Sequence, residues 1–330
     1  MSQQIVHIGL YGDNGHQLSL RDLPARARIV AVAGYAREIP GAVHVYDSLN
    51  AMLDDDEIDL ISLCPARRID QAGQAIQCLN AGKHVLAEKP CAFDAQTLDQ
   101  ILETARRNGR EFHEMAASNS NLVPHIQAIR RLVDNGDLGT IIHVQAHKSY
   151  PWHNRRPQEI AVDGGLVRQV GIHAVRLIHG GVGIRIKSIR GVSTGLGNPG
   201  KGGIQIAAAF AIELENGGVG SINLNYLNPT NFGPWGNDQL RVFGDKGMVE
   251  TVDGFRRSTL YLPERGAPVD LPIPDEIVSP SYIAHYVNHL LDGAPMPTPF
   301  AEEMAMTRAM LALHQAAISG RCTPVDYPDR

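Results

Sequence analysis

Short apolar runs alternate with helix-periodic segments over the first third of the chain, and this alternation restricts the fold more than any other feature. IVHIGL, RIVAVAGY, EIDLISLC, KHVLAEKP and REFHEMAA read as strands, all between residues 4 and 118. DSLNAMLDD, RRIDQAGQAIQCLNAG and DAQTLDQILETARRNG lie between them, with apolar positions at helical spacing. Apolar strands alternating with helices pack as a parallel, doubly wound sheet covered on both faces. Gly82 and Gly109 stand where helix-ending glycines belong, and Asp94 where an N-cap does.

The remainder reads differently. A helix, PHIQAIRRLVDNGDLG, is followed by long alternating segments: TIIHVQAHKSY, IRIKSIRGVST, IQIAAAFAIELENGGVGSINLNYL, QLRVFGDKGMVETV and STLYLPE. ENGG inside the third of these signals a hairpin. The expected fold is therefore α/β in two parts: a Rossmann-type nucleotide domain over residues 1–120, and an α/β domain with a largely antiparallel open sheet over 121–330. FAEEMAMTRAMLALHQAAISG is expected to be a closing helix with an apolar stripe. His143, Gln145, His147 and Ser149 share one strand face, as do Ser221, Asn223 and Asn225. Such a polar open face meets solvent or a second subunit, and a homodimer or homotetramer through it is the expectation.

Composition excludes several classes. With 43% hydrophobic and 20% charged residues over 330 positions, the chain is neither disordered nor low-complexity. Lys plus Arg number 30 against 35 Asp plus Glu, a formal charge of −5. That balance argues against a nucleic-acid binder, and no apolar run reaches membrane-spanning length. MSQQIVHIGL reads as a cytoplasmic start, without the basic and apolar regions of a leader. Cys64, Cys78, Cys91 and Cys322 form neither a CxxC pair nor a disulfide framework, in keeping with a reducing cytoplasm.

No metal site is expected. His285 and His289 are four apart on an expected helix, but no third ligand is evident beside them. His143 and His147 sit on a strand, where four residues span ~13 Å, too far for one ion. Asp54, Asp55, Asp56 and Glu57 read as a solvated helix end.

After the first strand comes Gly9-Leu10-Tyr11-Gly12-Asp13-Asn14-Gly15-His16-Gln17. A dinucleotide loop needs small residues for its turn, for close approach of pyrophosphate and for helix packing. Counted from Gly12, only the first glycine of a GxGxxG pattern is in register, with Asn14 and Gln17 at the other two positions. Asn14 tolerates the left-handed backbone that such a turn requires. Gly12, Asp13, Asn14 and Gly15 are thus candidate cofactor contacts. At the end of the second strand, Gly34 and Tyr35 stand where an acid would bind the ribose of NAD, with Arg37 just beyond. Tyr35 and Arg37 are accordingly candidates for the ribose end, and Arg37 tilts the choice between NADP and NAD towards NADP.

AGKHVLAEKP, ending in Glu88-Lys89-Pro90, is the most specific string in the chain. It resembles the fourth-strand signature of the glucose–fructose oxidoreductase, inositol dehydrogenase and MocA-like family (Gfo/Idh/MocA) of NAD(P)-dependent oxidoreductases. Cys64-Pro65 falls where that family has its pair after the third strand. Leu132, Gly136, Leu138 and Gly139 match its next helix end. Asp163 to His173 is similar to its glycine-rich helix start, and the carboxy-terminal helix and strand match as well.

The resemblance implies a two-part fold with an active site at the cleft between the parts, and a small polyhydroxylated substrate such as a sugar, inositol or keto-sugar. It makes Lys89 and His173 the catalytic pair and adds Cys64, Pro65, Glu88 and Lys89 to the cofactor contacts. Hydride leaves a carbinol carbon only as its hydroxyl proton leaves, so a donor–acceptor pair must stand at that oxygen. A lysine beside a cationic nicotinamide has its pKa lowered towards useful base strength.

The loop Tyr150-Pro151-Trp152-His153-Asn154-Arg155-Arg156 lies where the family borders its substrate. Tyr150, Trp152 and His153 are substrate-binding candidates, since aromatic rings stack on sugar faces, and Arg155 and Arg156 can reach polar groups. The loop from Asn228 to Trp235 is a second aromatic candidate. The sequence also departs from the family: the motif aspartate is Gln169, which binds a hydroxyl but carries no proton. Arg176, Ala66, Ile69 and Asn121 replace further polar positions. These changes leave open a redox-neutral lyase, epimerase or glycosidase using bound NAD(P), or a non-catalytic binding relative.

Overall fold

The structure is a computed structural model that describes residues 4–18, 23–39, 41, 43–115, 123–233, 235–273 and 281–328. In chain order its elements begin with β1 (Val6–Tyr11), β2 (Ala27–Ala33), β3 (His44–Tyr46), α1 (Leu49–Leu53) and β4 (Leu60–Leu63). Next come α2 (Gln71–Asn80), β5 (His84–Ala87), α3 (Ala95–Asn108), β6 (Phe112–Glu114) and α4 (Pro124–Asp134). β7 (Ile141–Pro151), α5 (Ile160–Asp163), α6 (Gly165–Val182), β8 (Ile186–Thr194), β9 (Ala207–Leu214) and β10 (Val219–Asn228) follow. The chain continues with β11 (Asn237–Gly244), β12 (Met248–Val252), β13 (Arg257–Tyr261) and β14 (Val269–Asp270). It closes with α7 (Tyr282–Asp292), α8 (Phe300–Ser319) and β15 (Thr323–Pro324). No helix among the described residues is long and apolar enough to cross a membrane.

Two compact units are present. The first comprises Met1–Ser118, Ala161–Gly164 and Ser279–Phe300, and the second Asn119–Ile160, Gly165–Val278 and Ala301–Arg330. The first unit contains a six-stranded sheet in the order β3-β2-β1-β4-β5-β6, with every pair parallel. Its central strands are apolar because both faces are covered: every residue of β4 is buried, as are Ile8 and Leu10 of β1 and Val85 to Ala87 of β5. The helix signals act as the sequence indicates. Asp94 Oδ1 accepts from the backbone N–H of Thr97 at 2.7 Å, and Gly109 ends α3 with φ 59°. Short, half-exposed β3 at the sheet edge had no signal in the pattern. No helix lies between β1 and β2 among the described residues. α7 belongs to this unit and is tied down by the Tyr286 hydroxyl, which donates to the Val85 carbonyl at 3.3 Å.

The second unit carries a nine-stranded mixed sheet, β14-β13-β12-β11-β7-β10-β9-β8-β15. Only the β7–β10 pair is parallel, aligning His147 with Asn223 and Ser149 with Asn225. The ENGG turn forms as expected between β9 and β10, with Gly217 at φ 87° and the Asn216 carboxamide accepting from the Gly218 N–H at 3.0 Å. α6 packs on β7, β10 and β11. Gly171 makes that approach possible, since a Cβ there would already touch Leu224 and Leu313 at 3.4 Å. α8 differs from its expected stripe: Glu303 to Leu313 are all buried, so it is enclosed on every side rather than on one.

Candidate functional site

In the first unit the strand order reverses between β1 and β4, the place in such sheets where ligands bind beyond the carboxyl ends of the strands. All the cofactor candidates fall at that edge. Gly12 to Gly15 follow β1, Tyr35 and Arg37 follow β2, Cys64 and Pro65 follow β4, and Glu88 and Lys89 follow β5.

The loop after β1 turns tightly against β4. Gly12 has φ 70°, and a Cβ on it would lie 2.1 Å from the Cys64 carbonyl oxygen. The N–H of Asn14 donates to that carbonyl at 3.2 Å, and the Asn14 carboxamide donates to the carbonyls of Ala66 and Val162 at 2.9 and 3.0 Å. Asn14 thus holds the turn with its side chain, where a glycine would only permit it. Gln17, at the third-glycine place, donates to the carbonyls of Gly12 and Ser62 at 3.0 and 3.2 Å. It satisfies the strand ends that a tightly packed helix would otherwise cover.

A buried carboxylate closes the loop. Glu88 is 1% exposed and accepts from the backbone N–H of His16 at 2.6 Å and faces its imidazole at 3.2 Å. Burial opposes its ionisation most strongly, but the His16 hydrogen bond and the charges of Lys89, His16 and Arg68 outweigh it. The net effect holds Glu88 below its ordinary value. Arg68, 2% exposed, donates to the Gln71 carboxamide at 2.6 Å and to the Asn14 carbonyl, and Gln71 in turn donates to the carbonyls of Glu88 and Pro90. Sequence reasoning missed His16, at a variable position of the glycine-loop pattern, and Arg68 and Gln71, which fall in no motif. Cys64 is fully buried, and burial pushes its thiol up, so its backbone rather than its sulfur lines the edge. Lys89 is 4% exposed, whereas Arg37 is open to solvent.

The residues fit a nicotinamide dinucleotide at this edge. Gly12, Gly15 and Gly34 present backbone without side chains, Gly15 and Gly34 at the surface, and exposed Arg37 follows β2. The phosphate end is altered, because the N–H groups of Asn14, Gly15 and His16 already have protein acceptors.

In the second unit, α6 supplies the other candidates. Of its eighteen residues, only Gln169 and His173 are not buried. They are four apart and so share one helix face. The His173 ring meets Tyr150 edge-on at 6.1 Å, and Tyr150 and His153 lie 6.3 and 5.8 Å from Trp235. Trp152 is half-buried outside that ring cluster, and Arg156 is committed to the Tyr226 ring at 3.5 Å. Arg155 is exposed. Behind Tyr150 lies an unforeseen pair: buried Lys148 bonds Asp238 and stands 4.7 Å from the Tyr150 ring centre. Burial holds the Lys148 ammonium below its usual range despite Asp238. Its alternating position on β7 is the one signal that placed it inward. Arg176 is buried and Ala66 and Ile69 are exposed, while Asn121 lies outside the described residues.

Comparison with known proteins places these features. Residues 20–115 match the profile described as oxidoreductase family, NAD-binding Rossmann fold, and residues 126–250 match the GFO/IDH/MocA C-terminal domain. The chain is 30% identical over 242 residues to dTDP-3,4-didehydro-2,6-dideoxy-alpha-D-glucose 3-reductase of Streptomyces violaceoruber, covering 64% of this chain and 66% of that one. An uncharacterized oxidoreductase of Bacillus subtilis is 25% identical over 215 residues, 63% of this chain and 59% of its own. The chain therefore spans less than two thirds of either relative's length. Among solved structures, the WlbA dehydrogenase of Bordetella pertussis in complex with NADH and UDP-GlcNAcA superposes with TM-score 0.81 at 20% identity. That match covers 99% of each chain. With a parallel dinucleotide-type sheet, a mixed second sheet and both family profiles in sequence, the chain belongs to the Gfo/Idh/MocA family of oxidoreductases.

Proposed function

We propose that this chain is an NAD(P)-dependent oxidoreductase that moves hydride to or from one carbon of a sugar, inositol or related polyol or keto-sugar. The observation that carries this reading is α6, whose only unburied side chains are Gln169 and His173, on a face that His173 shares with the aromatic cluster. A bound nicotinamide supplies the hydride exchange. Lys89 hydrogen-bonds the carbinol oxygen, and His173 takes or returns its proton. Gln169 orients a second hydroxyl without ionising. Tyr150, Trp152, His153 and Trp235 offer ring surface to the apolar face of a sugar. Gly12, Asp13, Asn14, Gly15, Tyr35, Cys64, Pro65 and Glu88 line the cofactor, and exposed Arg37, with no acid in Tyr35's place, favours the 2′-phosphate of NADP.

A cytoplasmic homo-oligomer assembled through the open sheet face completes the proposal. Val192, Val219 and Leu227 on that face are 67, 51 and 63% exposed. Sedimentation velocity checks it, and a clean monomer would remove it.

The decisive experiment is a titration of purified protein with NADPH and NADH followed by nicotinamide fluorescence, then a polyol and keto-sugar screen at 340 nm. Saturable binding, tighter for NADPH, with turnover of a polyol or keto-sugar is the expected result. A cofactor that copurifies with no net absorbance change points instead to a redox-neutral lyase, epimerase or glycosidase. Binding without turnover points to a non-catalytic relative, and no binding ends the oxidoreductase reading.

A further inference from the structure

The first unit holds a second cluster of chemistry-bearing side chains, at the other end of its sheet. Glu111 precedes edge strand β6, His113 is its central residue, and His289 lies in the last turn of α7. Each offers one ligand atom, and the three atoms lie within 4.8 Å of one another. Glu111 Oε2 is 3.7 Å from His289 Nε2 and 4.0 Å from His113 Nε2. These separations are too long for hydrogen bonds. They approach the ~3.4 Å between ligands in a tetrahedral zinc site with bonds of about 2.0–2.1 Å. Side-chain rotation of roughly an ångström closes the difference.

The surroundings point the donor atoms inward. His289 Nδ1 is 2.8 Å from the Ala294 carbonyl, which can only accept, so this nitrogen donates and Nε2 is the ring atom that faces Glu111. The Tyr282 hydroxyl pairs with His113 Nδ1 at 3.0 Å, and the Glu111 N–H donates to His84 Nδ1 at 3.0 Å. A partner on the second ring nitrogen, as Tyr282 is to His113, orients a ligating histidine in metal sites. His113 is 1% exposed at its side chain, while His289 and Glu111 are 27 and 45% exposed, so an ion enters from the solvent side.

The helical pair His285 and His289 that the sequence offers is not the grouping that forms, since His289 instead meets two residues some 175 positions earlier in the chain. Glu111 lies at the opposite end of β5 from Lys89: its N–H bonds His84 at the start of that strand, whereas Lys89 follows its end.

We propose that Glu111, His113 and His289 form a binding site for one divalent ion of the zinc class, pinning the last turn of α7 to β6. Two imidazoles and a carboxylate suit zinc and its borderline neighbours, with water completing the shell. The role is structural and does not depend on the proposed oxidoreductase chemistry.

The test uses the full chain, stripped with chelator, titrated with ZnCl2 by calorimetry and with CoCl2 by visible absorption. One ion per chain and a rise in melting temperature on Zn2+ addition are expected. His289→Ala and Glu111→Gln, both at partly exposed positions, should each weaken binding by at least tenfold, and Tyr282→Phe by about 10- to 100-fold. Exposed Cys322 is the competing thiol. Binding lost in Cys322→Ser but kept in His289→Ala would overturn the proposal. So would the absence of saturable binding at high micromolar ion, which would leave the cluster an ordinary ion pair.

Discussion

The backbone N–H of His16 donates to the buried carboxylate of Glu88 at 2.6 Å, across 72 positions of sequence. This bond closes the loop after β1 with an anion of the protein's own. Arg68 holds the next carbonyl back, that of Asn14, so the loop is shaped by side chains as much as by its glycines.

Replacing Glu88 with Gln removes a charge-assisted acceptor and is expected to cost about 1–3 kcal/mol at pH 7. Because the folded pKa of Glu88 is lowered, its contribution is present above the unfolded value, about 4.3, and is lost as pH falls through the folded one. Urea titrations at pH 7 and pH 4 should therefore show the gap between wild type and Glu88→Gln narrowing at the lower pH.

Gly12 and Gly136 share a left-handed backbone, at φ 70° and 73°. Around Gly136 a Cβ meets nothing within 4 Å, whereas at Gly12 it meets the Cys64 carbonyl at 2.1 Å. Gly136→Ala should cost about 1–2 kcal/mol from conformation alone. Gly12→Ala should cost clearly more and abolish NADPH binding, as fluorescence titration would show.

His173→Ala and Lys89→Ala are each expected to lower kcat/KM by about 10²- to 10⁴-fold. For His173, which is half-buried against Tyr150, the loss of activity should far exceed the loss of stability, and the melting temperature should fall by only a few degrees. Gln169→Asp places a carboxylate one turn before His173, which raises the imidazole pKa. If His173 is the base, the acid limb of the pH–rate profile moves to higher pH.

Asp238→Asn leaves the Lys148 ammonium buried beside Tyr150 without its counter-charge, at a cost of about 3–5 kcal/mol. Lys148→Met leaves Asp238 unpaired in turn, but that carboxylate is 16% exposed against 7% for Lys148, so the change should cost less. Equal losses in chemical denaturation would show instead that the two stranded charges are equally costly.

His179 is fully enclosed, and burial, aided by Arg185, pushes its imidazole down to about 3. Its Nε2 accepts from the Ile186 N–H at 3.3 Å, so the fold holds the neutral ring. The unfolded chain binds a proton near pH 6.5 that the folded chain refuses, so stability is lost as pH falls from about 6.5 towards about 3. This group contributes a slope of about 1.4 kcal/mol per pH unit. His179→Gln should flatten that slope in melts from pH 7 to pH 4.

The chain itself determined the layers. Apolar runs such as LISL and HVLA must be covered on both faces, and the helical segments between them do the covering, so a parallel sheet follows from local pattern alone. Asp94, Gly109 and the ENGG turn likewise act through neighbours a few residues away. In the sequence the candidate site is marked only where a motif stands, at Glu88, Lys89, Gln169 and His173. Only the tertiary structure decided what long-range contact controls: Glu88 under His16, Arg68 on the Asn14 carbonyl, Lys148 against Asp238, and His289 with Glu111 and His113. α8 lost its expected stripe for the same reason, since burial on every side is a property of its neighbours. A side chain's hydrogen-bonding partner depends on which strands and helices meet, and no periodicity within one segment carries that information.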